Sequence, residues 1–227
     1  MSQIVKSGYI KYLCFGYLIN IKKAYNVDKD RKEKQVLYMN KKKFTVRDLA
    51  MVGVMAAIVF IGNQIQLPKI PTPLGPTRIH IGNVMCILAG LLFGGVQGGL
   101  AAGFGGALYD LMDPFYAKEF WITFILKFIM GWVAGTLANR GTKTKAKVVV
   151  AAVVGSLSYV VAYLGKTFIV EYLLYGNPWQ TVVGVLITKG TASLINALLA
   201  MVISVILYYM IEPSLARAGL VKKTAAK

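Results

Sequence analysis

The sequence predicts an all-α integral membrane protein, built as a bundle of six transmembrane helices. Three observations predict this fold class: 56% of the 227 residues are hydrophobic, only 15% are charged, and apolar runs alternate with short polar loops. Soluble domains ordinarily carry roughly 25% charged residues, and a soluble fold of this size could not hide so much apolar surface. The bilayer is therefore the expected solvent for most of the chain.

Residues 1–43 differ in composition from the rest of the chain and are predicted to form a basic, disordered N-terminal arm. The apolar stretch from Tyr9 to Ile21 is interrupted by Lys11, and it is shorter than the roughly 20 residues that a spanning helix requires. A compact start at Met39 suggests that the natural chain begins there. The alternative is an arm that lies in the cytoplasm or at the membrane interface.

Six apolar segments make up the predicted membrane domain, residues 44–212. The first is followed by a proline-rich loop. The second and third are short and are separated by the glycine-rich stretch 94–99, so we expect them to form a close helical hairpin with a very tight turn. A basic cytoplasmic tail, residues 213–227, ends the chain. The expected spans are about 49–67, 79–93, 100–111, 120–138, 148–173 and 182–211.

Lysine and arginine are unevenly distributed among the loops, and this distribution predicts the orientation. The arm up to Arg47, the loop 140–147 and the tail hold 20 of the 26 basic residues. Cytoplasmic segments carry such an excess, so both termini are predicted to be cytoplasmic, in a multi-pass protein of a bacterial-type plasma membrane. The net charge of +17 then reflects topology, and no nucleic-acid partner is expected beside the lipid bilayer.

Three lysines fall inside apolar spans, where a charge costs several kcal/mol and therefore needs a reason. Lys127 lies on the fourth span. On the fifth, Tyr163 and Lys166 are three residues apart, and on the sixth, Lys189 and Asn196 are seven apart, so each pair shares a helix face. These polar stripes predict one water-accessible cavity that is open to the outside and binds a small molecule.

Further polar and aromatic residues are candidates for the same cavity. Asp110 and Glu171 lie at helix ends, where they either contact the ligand or pair with the lysines. Trp121 either belongs to an aromatic belt at the interface or stacks on a flat heterocycle. The remaining candidates, for which helix capping is the alternative role, are Asn63, Gln64, His80 and Asn83.

Small residues recur at four-residue spacing on the first three spans. Gly90, Gly94 and Gly98 repeat in this way, a pattern that lets helices approach closely. Gly53 and Ala57 form a similar surface on the first span. That surface either packs within the chain or docks another membrane protein.

The chain lacks the motifs of several function classes. It has no Walker loop, no HExxH and no Ser/His/Asp or Cys/His constellation, so we predict neither ATP hydrolysis nor other enzyme activity. Its two cysteines and one histidine form no recognised metal site, and no cofactor is expected. A self-sufficient permease or channel is the competing interpretation of the function.

Several stretches resemble the S components of energy-coupling factor (ECF) transporters, of the riboflavin and hydroxymethylpyrimidine type. They are Thr77-Arg78-Ile79-His80-Ile81-Gly82-Asn83, Leu88-Ala89-Gly90-Leu91-Leu92-Phe93-Gly94, Tyr109-Asp110-Leu111 with Pro114, and Trp121-Ile122-Thr123-Phe124 with Lys127-Phe128. The resemblance covers about Met39 to Ile211.

The resemblance implies a six-helix subunit that binds a vitamin or vitamin precursor from outside, of the riboflavin, pyridoxine/hydroxymethylpyrimidine or pantothenate class. It also implies two kinds of partner: an EcfT-type membrane coupling protein and two separate ATPase subunits. Members of this family dock the coupling protein through an Ala-xxx-Ala type pattern on the first helix. Gly53 and Ala57 stand at that spacing, with glycine in place of the first alanine.

Overall fold

The computed structural model describes residues 44–74, 76–221 and 224–225, and all regular elements in these ranges are helical. The predicted arm and the suggested start at Met39 lie outside the described residues. The helices are α1 (Val46–Gln64), α2 (Gly82–Phe93), α3 (Gly95–Leu111), α4 (Phe120–Asn139), α5 (Lys145–Phe168) and α6 (Trp179–Arg217). A one-turn 3₁₀ helix, Ala117–Glu119, leads into α4, and a π-helical segment, Ile169–Leu174, extends α5.

Four helical segments of the described chain are long and apolar enough to cross a membrane. They are Val46–Gln64, Ala117–Asn139, Lys145–Leu174 and Trp179–Arg217. The helices α2 and α3 have 12 and 17 residues. At 1.5 Å per residue they measure roughly 18 and 26 Å, less than the roughly 30 Å of bilayer hydrocarbon. The all-helical prediction is confirmed. Four of the six predicted spans form helical segments that are long and apolar enough to cross the bilayer.

The tight turn expected between the second and third spans is a single residue, Gly94. Its φ of 92° is accessible to glycine and strained for other residues, and its N–H bonds to the carbonyl of Gly90 at 2.9 Å. The third span therefore begins at Gly95, earlier than predicted, and Gly98 lies inside α3. At the other end of the chain, α6 continues through Pro213 to Arg217, past the predicted boundary at 212.

The close helix packing predicted from the glycine spacing is present, and it extends to α4. A Cβ atom added at Gly90 would collide with the backbone of Gly131, and one added at Gly135 would collide with that of Gly94. Beside these contacts lies an apolar core with fully buried side chains such as Ile87. Buried polar residues lie at both ends of the bundle: Lys143 and Glu212 at one end, and a larger group that includes Arg78 and Asp110 at the other.

The proline-rich segment between α1 and α2 folds back on itself. We call its described residues, 65–74 and 76–81, the outer hairpin because they lie outside the helices. The backbones of Ile70 and Thr77 exchange two hydrogen bonds of 2.8 Å, and Ile81 N–H bonds to Ile65 O at 3.1 Å. These bonds satisfy backbone groups outside any helix, a condition that buried non-helical chain must meet. The hairpin thus brings Thr77 and the residues after it over the end of the bundle.

Candidate ligand-binding site

A cavity lies where the outer hairpin meets the ends of α3 to α6. Its volume is about 50 Å³. A vitamin-sized ring therefore enters only if lining side chains move. The lining consists of Thr77, Arg78, His80, Asp110, Tyr116, Glu119, Ile122, Thr123, Leu126, Lys127, Tyr159, Tyr163, Lys166, Ser193 and Asn196.

Arg78 of the outer hairpin forms a buried ion pair with Asp110 at the end of α3. The second Asp110 oxygen accepts a hydrogen bond of 2.5 Å from the Thr123 hydroxyl. The Arg78 guanidinium also lies 4.2 Å from the ring centroid of Tyr116. Burial alone would lower the pKa of Arg78, but the charge of Asp110 outweighs burial and raises it. Arg78 is therefore charged, and Asp110 is its buried partner.

Asp113 fastens the hairpin at a second point. Its carboxylate lies 2.8 Å from the ammonium of Lys69 and 3.1 Å from a guanidinium nitrogen of Arg78. Burial raises the pKa of Asp113, but hydrogen bonds from Lys69 and from the backbone N–H of Phe115 outweigh that effect and lower it. The hairpin is thus held to the end of α3 by charged groups of both signs.

Lys166 of α5 is paired with Glu119, which lies in the 3₁₀ turn before α4. Their ammonium and carboxylate are 2.5 Å apart, with Glu119 more exposed than Lys166. The sequence left open whether the lysines pair with Asp110 or Glu171. Among the described residues, Asp110 pairs with Arg78 and Lys166 with Glu119, because the outer hairpin and the 3₁₀ turn lie nearer these groups.

Lys127 is the deepest cation of the lining, with 2% of its surface exposed. Its ammonium donates a hydrogen bond of 2.6 Å to the side-chain oxygen of Asn63 on α1. In the described part of the chain no carboxylate lies within salt-bridge distance of it. Lys127 is therefore a buried basic side chain that a neutral amide holds in place.

His80 is attached to α6 through its backbone and forms part of the cavity lining. Its N–H donates to the Asn196 side-chain oxygen at 2.9 Å, and the Asn196 amide donates to Arg78 O at 2.9 Å. Burial lowers the pKa of His80 well below 6.5, and the charges of Lys127 and Arg78 lower it further. The imidazole is neutral near pH 7, and its Nδ1 has no hydrogen-bond partner.

Two stacked rings form an aromatic part of the wall. The rings of Tyr159 and Tyr163 on α5 lie 5.8 Å apart, centroid to centroid, with an angle of 6° between their planes. A flat ligand ring finds a suitable partner in such a surface. In the described ranges no three histidine, cysteine, aspartate or glutamate side chains are grouped as a metal site.

The structure brings together six of the twelve residues predicted for the small-molecule site. His80, Asp110, Lys127, Tyr163, Lys166 and Asn196 line the cavity. Asn63 lies behind the lining as the acceptor for Lys127, and Asn83 is buried with both amide atoms unpartnered.

Four predicted residues lie away from the lining. Gln64 is exposed, and Trp121 is 55% exposed on the outer face of α4. Glu171 accepts a hydrogen bond of 3.2 Å from the Asn177 side chain, beyond the end of α5. Lys189 is turned toward the hairpin backbone, where it donates to Leu74 O at 3.4 Å. Position along the helices therefore did not give the direction of these four side chains.

Sequence reasoning missed several lining residues, with Arg78, Tyr116 and Glu119 the most consequential. Arg78 and Glu119 stood in predicted loops, where charge is ordinary. The sequence did contain a signal for Arg78. An acid at a buried helix end, such as Asp110, needs a basic partner, and Arg78 lies two residues before His80, which was already a candidate for the cavity. Thr123, Tyr159 and Ser193 each lie four residues from a predicted site residue (Lys127, Tyr163 and Lys189 in turn) and therefore on the same helix face.

Apolar helices of this length with a polar cavity at one end are typical of a membrane protein, and the cavity is its candidate small-molecule site. The family model described as the ECF-type riboflavin transporter, S component, matches residues 43–213, and the chain belongs to that family. The predicted resemblance is thereby confirmed. Membership makes the chain a subunit of a transporter rather than an enzyme.

Three curated proteins are similar to parts of the chain. An uncharacterized protein in the gap 3′ region of Pyrococcus woesei is 31% identical over 110 residues, 48% of this chain and 70% of that protein. A UPF0397 protein of Lactiplantibacillus plantarum is 30% identical over 101 residues, 44% and 52% of the two chains. A UPF0397 protein of Streptococcus gordonii is 30% identical over 96 residues, 42% and 49%. The matches span about half the length of the UPF0397 proteins.

Proposed function

We propose that this chain captures a vitamin or vitamin precursor for uptake, as the S component of an ECF-type transporter. The expected ligand belongs to the riboflavin, pyridoxine/hydroxymethylpyrimidine or pantothenate class. The supporting observation is the buried polar cavity, which combines paired charges, a neutral histidine and stacked tyrosines in an otherwise apolar bundle. Binding pockets commonly join an apolar wall with a few polar groups in this way.

The proposed orientation makes the cavity open to the outside of a bacterial plasma membrane. The loops at the cavity end contain few basic residues, whereas the arm, the loop 140–147 and the tail hold 20 of the 26. Six crossings with cytoplasmic termini agree with this distribution. The short helix α2 fits such a topology because the outer hairpin, rather than lipid, covers its outer end.

Energy is proposed to come from an EcfT-type membrane coupling protein and two ATPase subunits. Gly53 and Ala57 lie on the exposed face of α1, and a Cβ added at Gly53 meets no atom within 4 Å. The neighbouring Val54 and Ile58 are also exposed. A strip of small residues flanked by apolar ones lets a partner helix approach closely within the membrane.

A self-sufficient permease or channel is the competing function, and the close packing of the apolar core is evidence against it. Met130 lies three residues beyond Lys127 on α4 and is fully buried, as is Ile87 on α2. These tightly packed apolar side chains leave the cavity closed on its deep side. A binding subunit that depends on partners for release suits a one-sided cavity better than a continuous pathway does.

Uptake into proteoliposomes separates the two functions. Vesicles that contain the chain alone should bind a radiolabelled vitamin without accumulating it, and co-reconstitution with a coupling protein and its ATPases should give ATP-dependent accumulation. Accumulation by the chain alone would support the permease. Failure to bind riboflavin, pyridoxine, hydroxymethylpyrimidine and pantothenate would contradict the proposed function.

A further inference from the structure

We infer that the ligand of this cavity carries a negatively charged oxygen group, a carboxylate or a phosphate ester, that binds the ammonium of Lys127. The inference rests on the proposed function and narrows its substrate class. It is supported by the balance of charges in the lining, by the way Lys127 is held, and by the unpartnered ring nitrogen of His80.

The other charges of the lining are already matched. Arg78 is paired with Asp110, whose second oxygen accepts from the Thr123 hydroxyl. Lys166 is paired with Glu119. Lys127 is left as the basic side chain of the described lining that has no carboxylate partner, so its ammonium form is a positive charge in excess.

The surroundings of Lys127 keep it at this depth. A Cβ added at Gly106 on α3 would collide with the Lys127 side chain, so the glycine provides the space in which the aliphatic stem lies. The side-chain oxygen of Asn63 accepts a hydrogen bond from one of the three ammonium N–H groups. The lysine is thus packed into position instead of reaching toward the membrane interface, as lysines near helix ends commonly do.

An unmatched buried charge is costly, and an anionic ligand removes that cost. A buried ion needs a counter-charge and hydrogen bonds to offset its loss of hydration. A neutral ligand would leave the excess charge in the cavity and also exclude water from it. His80 lines the same cavity as Lys127, and its Nδ1 is buried without a hydrogen-bond partner, so a ligand can supply a second polar contact there.

Three pairs of compounds test the inference on the unmodified protein in lipid nanodiscs. The pairs are pantothenate and pantothenol, riboflavin 5′-phosphate and riboflavin, and pyridoxine 5′-phosphate and pyridoxine. We expect the anionic member of one pair to bind about ten-fold or more tightly than its neutral partner, the usual scale of a charge-assisted hydrogen bond. The first pair tests a carboxylate, and the other two test a phosphate ester.

Two variants assign the preference to a residue. Lys127→Met should abolish the preference for the anionic compound, whereas Lys118→Met, which removes the same charge from an exposed site near the cavity, should keep it. Retention of the preference in folded Lys127→Met would overturn the assignment. If that variant does not fold, the comparison within pairs on the unmodified protein still decides whether the ligand carries an anionic group.

The outcomes separate the inference from the proposed function. Equal or tighter binding of the neutral members would overturn the inference and leave a vitamin-binding subunit. Absence of binding by all six compounds to folded protein would instead contradict the proposed function, and the inference with it.

Discussion

Arg78 and Asp110 form a buried ion pair that joins the outer hairpin to the end of α3. The pair does two things at once: it neutralises a charge on each side of the cavity, and it fixes the segment that covers the mouth. Its removal should therefore affect both stability and binding.

Asp110→Asn should lower the free energy of unfolding by about 3 kcal/mol, because it leaves the Arg78 guanidinium with weaker compensation in a buried place. Vitamin affinity should fall as well, since the hairpin loses an anchor. Thermal unfolding in detergent and equilibrium binding measure the two effects. Glu171→Gln, the same change away from the lining, serves as the control. Equal stability of the two variants would show that the pair does not hold the hairpin.

Gly106→Ala should weaken ligand binding about as much as Lys127→Met does. The added methyl group occupies the space of the Lys127 stem, and overpacking of this kind typically costs about 1–3 kcal/mol. Gly184→Ala is the matched control, because a Cβ there meets no atom within 4 Å. Titration of both variants with the same ligand measures the effect, and unchanged affinity in Gly106→Ala would mean that the position of Lys127 does not matter.

Stability should decrease as the pH falls below about 6.5. Burial and the charges of Lys127 and Arg78 lower the pKa of His80 from 6.5 in the folded state, so the unfolded chain takes up the proton first. The stabilising contribution is present above the unfolded pKa and is lost as the pH falls toward the folded one, at up to about 1.4 kcal/mol per pH unit.

His80→Gln isolates this effect, because His80 is the one histidine of the chain. The variant should unfold at nearly the same temperature at pH 7 and at pH 5, while the unmodified protein should unfold at a lower temperature at pH 5. If the unfolding temperature of both proteins falls equally between pH 7 and pH 5, the pH dependence belongs to groups other than His80.

Gly53→Leu should abolish co-purification with a coupling protein and leave vitamin affinity unchanged. The bulky side chain would separate α1 from a partner helix, and it lies on the exposed face, away from the cavity. Val54→Leu is the control, because Val54 is 64% exposed and already carries a branched side chain. Normal complex formation by Gly53→Leu would exclude this strip as the docking surface.

The order and limits of the helices were largely readable from the sequence, because apolar run length and glycine position are local signals. The fourth span, predicted at 120–138 and observed at Phe120–Asn139, is an example. The polar faces also predicted a shared cavity, since helical spacing determines which side chains lie together.

The roles of Arg78 and Lys189 were not readable in the same way. The position of Arg78 depends on the pairing of Ile70 with Thr77 in the outer hairpin, a contact that periodicity does not encode. The direction of Lys189 depends on the carbonyl of Leu74, more than a hundred residues away in the chain. Such contacts arise only when the loop and the helices are packed together.

The most direct test of an outward-facing capture site is cysteine labelling at Ser193, which lines the cavity on α6. A Ser193→Cys variant is made with Cys14 replaced by serine, while the fully buried Cys86 is kept. Intact cells are treated with a membrane-impermeant maleimide, with and without vitamin. We predict labelling from outside and protection by the ligand that the protein binds. Labelling only after the cells are opened, or labelling that no vitamin in the panel reduces, would contradict a capture site that faces outward.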